Sequence, residues 1–298
     1  MKIIEARSLG KRYGKKSALR AISFDLAESE IFGFIGPNGA GKTTTIRLIV
    51  GLLNATSGTV SVLGSDPRKS TSILADVGYI PGEFGLWPQM TGKECLDYLS
   101  SLNPKPPVRR DQLCDLLELA TSDLQRSTRT YSRGMRQKIA IVQAFQHQPS
   151  VVVMDEPTEG LDPLMKERFI NLVKSHKANG GTAFFSSHIL SEVEECVDRV
   201  AVIRQGAIIK VADTESLASH RLRHCVVKLK EPLKQDAIFE LPGVARLRVE
   251  DRTVRFDYLG DMQPLIQMLA TLPVVEFLSE PESLTEAFFE VYSEEDEP

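Results

Sequence analysis

Residues 36–43, which read GPNGAGKT, fit the spacing Gly-x-x-x-x-Gly-Lys-Ser/Thr. Glycines let the backbone wrap closely around a polyphosphate, so that several N–H groups point at its oxygens. Lys42 adds a mobile positive charge for the outer phosphates, and Thr43 offers a hydroxyl ligand to a magnesium ion. An apolar run at 31–35 precedes the motif and a helical pattern follows it, which is the context that a phosphate cradle requires. The predicted phosphate ligands are Gly36, Pro37, Asn38, Gly39, Ala40, Gly41, Lys42, Thr43 and Thr44.

Two acids, Asp155 and Glu156, follow the apolar run 151–154. At the end of a strand Asp155 can hold the water shell of a magnesium ion, as the second acid of a P-loop NTPase does. Glu156 is then placed to orient or deprotonate the attacking water, a role worth about 10²–10⁴ in rate. On its own the pair could equally cap the loop before Pro157. Together with residues 36–43 it indicates hydrolysis of a nucleoside triphosphate.

The elements that must position these residues are short β-branched runs alternating with helical patterns over residues 1–215. This alternation predicts an α/β fold. The runs 31–35 and 151–154 are apolar throughout, as expected of strands covered on both faces of a mostly parallel sheet. The predicted strands are 3–5, 22–26, 31–35, 59–63, 77–80, 151–154, 183–186 and 200–203. The predicted helices are 42–52, 93–101, 112–119, 134–146, 164–177 and 190–197.

Beyond a polar, basic junction at 220–224 the pattern changes to βαββαβ, which is typical of a small ferredoxin-like α+β unit. A last helix at 283–292 leads into an acidic tail, 293–298, which we expect to be disordered. The sequence therefore predicts two domains, 1–215 and 216–298. Within the second, the predicted elements are strands 225–229, 245–249, 254–258 and 274–278 and helices 235–240 and 262–270.

Composition is that of an ordinary globular protein: 42% of the 298 residues are hydrophobic and 26% are charged. A net charge of −4 gives no reason to expect nucleic acid as a partner. No run approaches the roughly 18 apolar residues of a membrane helix, and no signal segment follows the N-terminus, so we expect a cytosolic location. Scattered cysteines without metal-ligand spacing are expected as small apolar fillers in a reducing compartment. They are Cys95, Cys114, Cys196 and Cys225.

Residues 131–137, YSRGMRQ, lie between the cradle and the acids and precede a helical pattern. The segment resembles the signature of the ATP-binding cassette (ABC) ATPases, usually written LSGGQ, in the variant form found in many exporter ATPases. Ser132 precedes Asp155 by 155 − 132 = 23 residues, as in that family. Alone, Ser132 would be explained equally well as the cap of a helix N-terminus.

Three further features share the family's order along the chain. Residues 158–162, TEGLD, resemble the D-loop that contacts the opposite subunit, and His188 falls where the family places its switch histidine. Tyr13 matches the aromatic residue that stacks on adenine. Each would be unremarkable alone, as a loop residue or a packing aromatic. Their shared order and spacing make the resemblance, which extends over residues 1–215.

The resemblance implies a RecA-like core, an antiparallel β subdomain and a helical signature subdomain. It implies ATP and Mg²⁺ as ligands, Glu156 as base, His188 as sensor of the γ-phosphate, and Asp155 with Thr43 at the metal. Ser132 and Gly134 would reach a phosphate only across a dimer interface, so two cassettes would close head to tail on two ATP molecules. The partner would be a second copy or a paralogous cassette.

The resemblance further implies a separate integral-membrane permease, which would hold the chain at the inner face of the cell membrane and export a drug, lipid, ion or polysaccharide. The alternative is a soluble ABC ATPase acting on ribosomes or DNA. That class usually has two cassettes or a coiled-coil insertion, and this chain has a single cassette and no heptads. A GTP-dependent switch protein would need a guanine-reading motif, to which only LKQD at 233–236 comes near.

Three positions depart from the family pattern. Gly82 stands where a glutamine normally couples Mg²⁺ to the permease, and Glu83 or Gln89 could substitute for it. Arg133 replaces the first signature glycine, where it could assist a phosphate or point to solvent. Met135 replaces the signature glutamine.

The sequence leaves the C-terminal domain with three possible roles: dimerisation, regulation or packing. The basic run 221–224 is most simply a solvated linker.

Overall fold

The computed structural model describes residues 1–189, 196–213, 222–232 and 241–281. The chain divides into two units, Met1–Ala212 and Asp213–Pro298. Several predicted elements fall wholly or almost wholly outside the described residues: helices 190–197, 235–240 and 283–292 and the tail 293–298. Within the described residues, no helix has both the length and the apolar character needed to cross a membrane.

The first unit contains the α/β fold predicted from the sequence. Its strands are β1 (Lys2–Tyr13), β2 (Lys16–Ala27), β3 (Ile31–Ile35), β4 (Ser57–Val62), β5 (Val77–Ile80), β6 (Val151–Asp155), β7 (Thr182–Ser187), β8 (Arg199–Arg204) and β9 (Ala207–Asp213). Its helices are α1 (Lys42–Ile49), α2 (Gly92–Ser101), α3 (Arg110–Leu116), α4 (Thr121–Leu124), α5 (Arg133–Phe145) and α6 (Pro163–Ala178).

The main sheet has the strand order β5-β6-β7-β3-β8-β9. From β5 to β8 all neighbours are parallel, and β3, β6 and β7 are buried along their whole length. The parallel register places Ile35 opposite Ser187, and Asp155 opposite Ser186. The loops that follow β3, β6 and β7 therefore leave the same edge of the sheet, where open α/β sheets bind their ligands.

A second sheet, with order β2-β1-β4, is antiparallel, as the family resemblance implied. Strands β1 and β2 extend well beyond the predicted 3–5 and 22–26, because they remain paired through several register shifts into segments where most residues are exposed. Between the two sheets lies a core in which four phenylalanine rings pack with centroids 5.4–5.9 Å apart. The rings are Phe24, Phe32, Phe34 and Phe184.

Helices α2 to α5 form the predicted helical segment between β5 and β6. Thr91 and Glu94 form a capping box that fixes the start of α2. The predicted helix 112–119 is wrong at its end: α3 stops at Leu116, because Glu118 has φ +53° and the left-handed conformation terminates a helix. Neither α4 nor β9 is predicted from the sequence.

The second unit has the strand order β11-β12-β10-β13, with all neighbours antiparallel. Helix α7 (Met262–Leu269) contributes Leu265 and Leu269 to its core. This order agrees with the predicted ferredoxin-like unit, in which the first and third strands are central. The strands are β10 (Arg223–Leu229), β11 (Val244–Glu250), β12 (Thr253–Tyr258) and β13 (Val274–Pro281).

Candidate nucleotide-binding site

The loop between β3 and α1 is a cradle of backbone amides. A Cβ on Gly36 would lie 2.2 Å from the carbonyl oxygen of Ile203 in β8, so the position admits glycine alone. Gly39 and Gly41 have φ +81° and +116°, a region that other residues rarely adopt. No side chain caps α1. Its first amides therefore remain available to an anion at the positive end of the helix.

Lys42 points back into this loop and is only 6% exposed. Its Nζ donates to the carbonyl oxygen of Gly36 at 2.6 Å and to that of Pro37 at 3.4 Å. Oε1 of Glu156 lies 3.2 Å from the same nitrogen. The cation that was predicted for the phosphates and the carboxylate that was predicted as base thus form an ion pair across the cleft.

Glu156 connects three loops of the site. Its backbone has φ +50°, and its N–H approaches both the carbonyl and the hydroxyl oxygen of Ser186 at 3.2 Å. Oε2 shares a hydrogen bond with Nδ1 of His188 at 2.8 Å. Oε1 is buried, lies against the Lys42 ammonium and accepts no hydrogen bond within the described part of the chain. Glu156 is one of the residues that line the cleft, which is where the base of a hydrolysis must lie.

Asp155 is 2% exposed at the end of β6. One carboxylate oxygen, Oδ1, accepts a hydrogen bond from the Ser186 hydroxyl at 2.7 Å. The other, Oδ2, faces Gly82 and would lie 3.3 Å from a Cβ placed there. Ser186 therefore orients both acids. The sequence pattern does not predict this role, because Ser186 meets the acids only through the pairing of β6 with β7.

A cleft of about 810 Å³ runs along this edge of the sheet. Of the predicted phosphate ligands, Gly36 and Ala40 are not among the residues that line it; they form the back of the loop. Tyr13 stands at the cleft with its ring 48% exposed and Nζ of Lys11 5.1 Å from the ring centroid. The lining includes Tyr13, Lys15, Lys16, Arg20, Pro37, Asn38, Gly39, Gly41, Lys42, Thr43, Thr44, Gly82, Asp155, Glu156 and Gln205.

The β8–β9 turn is a part of the cleft that the sequence did not predict. Gln205 and Gly206 both have positive φ, which is the conformation of a tight hairpin turn. The N–H of Gly206 donates to the carbonyl oxygen of Ala40 at 2.9 Å, so the turn is fastened to the cradle. Gly206, the second residue after β8, is a local signal for a turn, but the sequence does not indicate the contact with the cradle.

The donors in the cleft suit a magnesium ion. Thr43 supplies a hydroxyl and Asp155 a carboxylate oxygen, and both line the same space. Among the described residues no group of three or more His, Cys, Asp or Glu side chains could hold a metal alone. Mg²⁺ usually keeps several waters and takes phosphate oxygens with one or two carboxylates, so a sparse donor set fits it.

Ser132 and Gly134 lie apart from the residues that line the cleft. Ser132 caps α5, its Oγ accepting from the N–H of Met135 at 3.2 Å, which leaves its own hydrogen free to donate elsewhere. We call residues 132–137 the signature turn and residues 156–162 the carboxylate turn. The two are in contact, because Nε2 of the buried Gln137 donates to the carbonyl oxygen of Pro157 at 2.7 Å.

The departures from the family pattern also have definite places. Arg133 does not line the chain's own cleft. It forms an ion pair instead, with Nη2 lying 2.5 Å from Oε1 of Glu159. Gly82 lines the cleft beside Asp155 and offers no side chain there. Glu83 and Gln89, suggested as substitutes, are exposed and do not line the cleft.

A glycine-rich cradle on a buried parallel strand, with its lysine and an acid pair on a second strand, defines a P-loop nucleoside triphosphatase. The profile of the ABC transporter family matches residues 19–159. An uncharacterized ABC transporter ATP-binding protein of Bacillus subtilis, YdbJ, is 40% identical over 209 residues, 69% of this chain and 68% of that protein. Nod factor export ATP-binding protein I of Burkholderia orbicola is 30% identical over 296 residues, 98% of this chain and 97% of that protein.

Solved structures agree with this relationship. An ATP-binding subunit of an ABC transporter matches with a TM-score of 0.67 at 27% identity, over 72% of this chain and 91% of its own. A dimeric cassette in a post-hydrolysis state with ADP and Pi has a TM-score of 0.64 over 71% of this chain and 98% of its own. Because its identity is 22%, it supports the fold alone. The chain belongs to the family of ABC transporter ATP-binding proteins, and like the other cassettes of that family it is an ATPase that binds ATP.

Proposed function

We propose that this chain hydrolyses ATP as one half of a head-to-tail dimer and drives a separate membrane permease that exports its substrate. Lys42 and Glu156 line the cleft, and His188 joins them through its hydrogen bond with Glu156. Ser132 and Gly134 of the same chain do not line that cleft. A triphosphate in the cleft would therefore meet the signature turn of a second cassette, and this separation is the observation that carries the proposal.

Each residue has a role in this scheme. The cradle and Lys42 hold the phosphates, Tyr13 stacks on adenine, and Thr43 with Asp155 holds Mg²⁺. Glu156 takes a proton from the attacking water with its carboxylate, whose Oε1 holds no hydrogen bond within the described residues. His188, bonded to the other oxygen, senses the γ-phosphate. The two cassettes close around ATP and part after hydrolysis, when the charge that bridges the two halves is lost.

Export as the direction of transport is supported by a relative that is named for it, the Nod factor export protein. The permease, a separate polypeptide, holds the cassette at the inner face of the membrane and sets the selectivity for a drug, lipid, ion or polysaccharide.

Mixing two inactive variants tests the head-to-tail arrangement. Lys42→Ala disables the cradle. Ser132→Asp keeps a side chain that caps a helix well while placing a negative charge against the phosphate. Neither homodimer then has an intact site, whereas the mixed dimer has one intact and one doubly altered site. We expect the mixture to regain hydrolysis; activity no higher than that of the separate variants would refute the arrangement.

The membrane partner is tested by purifying a tagged Glu156→Gln chain with ATP from the membranes of its native cells. Recovery of a polytopic membrane protein is the expected result, with Lys42→Ala as the matched control that should recover less. Recovery of ribosomes or DNA in place of a membrane protein would support the soluble alternative instead.

A further inference from the structure

The first turn of α5 packs on the carboxylate turn through Arg133. The guanidinium of Arg133 lies 2.5 Å from the carboxylate of Glu159. Its stem covers Gly160, where an added Cβ would lie 3.0 Å from Cγ and 3.2 Å from Cδ of Arg133. A glycine with φ +84° at position 160 therefore makes room for the arginine.

Two neighbouring contacts keep the same turns together. A Cβ on Gly134 would lie 2.8 Å from the carbonyl oxygen of Gly160, so the backbones approach closely. Gln137 bonds to Pro157 from a buried position. These two contacts are held by packing and burial, whereas the Arg133–Glu159 pair is held by charge at the surface.

The charge pair is poorly suited to stabilise the fold. The side chains of Arg133 and Glu159 are 62% and 40% exposed, and exposed ion pairs add little to stability. Its location is more informative. Arg133 lies between Ser132 and Gly134, so a phosphate that reaches those two residues brings negative charge to the guanidinium and competes with Glu159 for it.

We propose that Arg133 is a positioning residue that couples the two nucleotide sites of the dimer through Glu159. This inference rests on the proposed function. The signature turn of one chain contacts the ATP held by its partner, while the carboxylate turn of that chain begins at its own Glu156. A phosphate that binds at Arg133 changes the ion pair between Arg133 and Glu159. Glu159 lies three residues after Glu156 in the same turn, so a change in its position alters the position of Glu156. Occupation of one site thereby adjusts the base of the other.

The test is the dependence of ATP hydrolysis on ATP concentration, summarised by the Hill coefficient. For two positively coupled sites the coefficient lies above one and has an upper limit of about two. We expect Arg133→Ala and Glu159→Gln each to lower it towards one. Because the two residues act through each other, the double variant should behave like either single variant. Arg133→Lys, which keeps the charge, should retain part of the cooperativity.

Lys228→Ala is the matched control, because it removes a 2.7 Å ion pair of similar exposure in the second unit. It should leave the Hill coefficient unchanged. All variants should melt within about 3 °C of the wild type, as expected for exposed pairs. An unchanged coefficient in Arg133→Ala, additive effects in the double variant, or a non-cooperative wild type would each overturn the coupling. The mixing experiment with Lys42→Ala and Ser132→Asp separates these outcomes from failure of the dimer itself.

Discussion

Replacing Glu156 by glutamine removes the proposed base while keeping the size and shape of the side chain. The amide is nearly isosteric with the carboxylate, but it cannot take a proton from water. It can still lie between Lys42 and His188, which are 3.2 and 2.8 Å from the two carboxylate oxygens. We therefore expect a folded protein that binds ATP and hydrolyses it very slowly.

The substitution has two effects, one on the rate and one on stability. Loss of a general base lowers the rate about 10²–10⁴-fold, equivalent to about 3–5 kcal/mol in the barrier. At 3.2 Å and an effective dielectric constant of about 20, the Lys42–Glu156 attraction is about 5 kcal/mol before desolvation is counted. Lys42 keeps its bond to the Gly36 carbonyl but loses its buried counter-charge, so the net loss of stability should be about 3 kcal/mol, at the lower end of the range for removing one partner of a buried pair.

The assay is single-turnover hydrolysis together with size-exclusion chromatography in ATP. Glu156→Gln should accumulate as an ATP-bound dimer, whereas ADP should leave it monomeric. Glu167→Gln, an exposed acid on α6, is the control and should hydrolyse ATP like the wild type. Turnover within a few-fold of the wild type in Glu156→Gln would remove Glu156 from the role of base.

Four further predictions concern separate parts of the molecule. Lys42→Ala should abolish ATP binding or turnover, measured by calorimetry and phosphate release, and unchanged values would refute the cradle assignment. Tyr13→Ala should weaken ATP binding about 10–100-fold through lost stacking, while Tyr13→Phe should not; equal affinities would exclude stacking. Gly82→Gln places an amide beside Asp155 and should lower the Mg²⁺ concentration needed for half-maximal hydrolysis; no change in a magnesium titration would show that the added amide does not reach the metal. Burial lowers the pKa of His176 to about 4 from 6.5, so its neutral form contributes stability that is complete above pH 6.5 and is lost as the pH falls towards 4. The free energy of unfolding, measured with urea at pH 7 and pH 4.5, should therefore fall by about 2–3 kcal/mol less in His176→Phe than in the wild type. An equal fall in both proteins would contradict this prediction.

The buried strands were the most predictable part of the fold. Strands β3 and β5 begin and end where the sequence predicts, because runs covered on both faces are apolar without interruption. The half-exposed strands β1 and β2 were predicted too short, since hydrophobicity fades towards their outer ends while backbone pairing continues. Strand β9 was missed although its sequence, AIIKVAD, is largely apolar, and none of its residues is buried.

The site shows a similar division. Lys42 and Glu156 could be predicted because each belongs to a short sequence motif next to an apolar strand. Ser186 and Gln205 could not, since they enter the site through strand pairing and through a turn with positive φ. Arg133 was identified as a departure, but its partner Glu159 lies 26 residues away in sequence (159 − 133) and becomes a neighbour only in the folded chain.

The order of the strands also sets a length scale for the ligand. Since β7 lies between β3 and β6, the cradle and the acid pair are separated by two strand spacings, about 10 Å. The side chains of Lys42 and Glu156 close most of that distance, because Nζ and Oε1 lie 3.2 Å apart. The glycine loop and the acids at the strand end therefore reach the same part of a ligand from opposite sides, although their backbones are two strands apart.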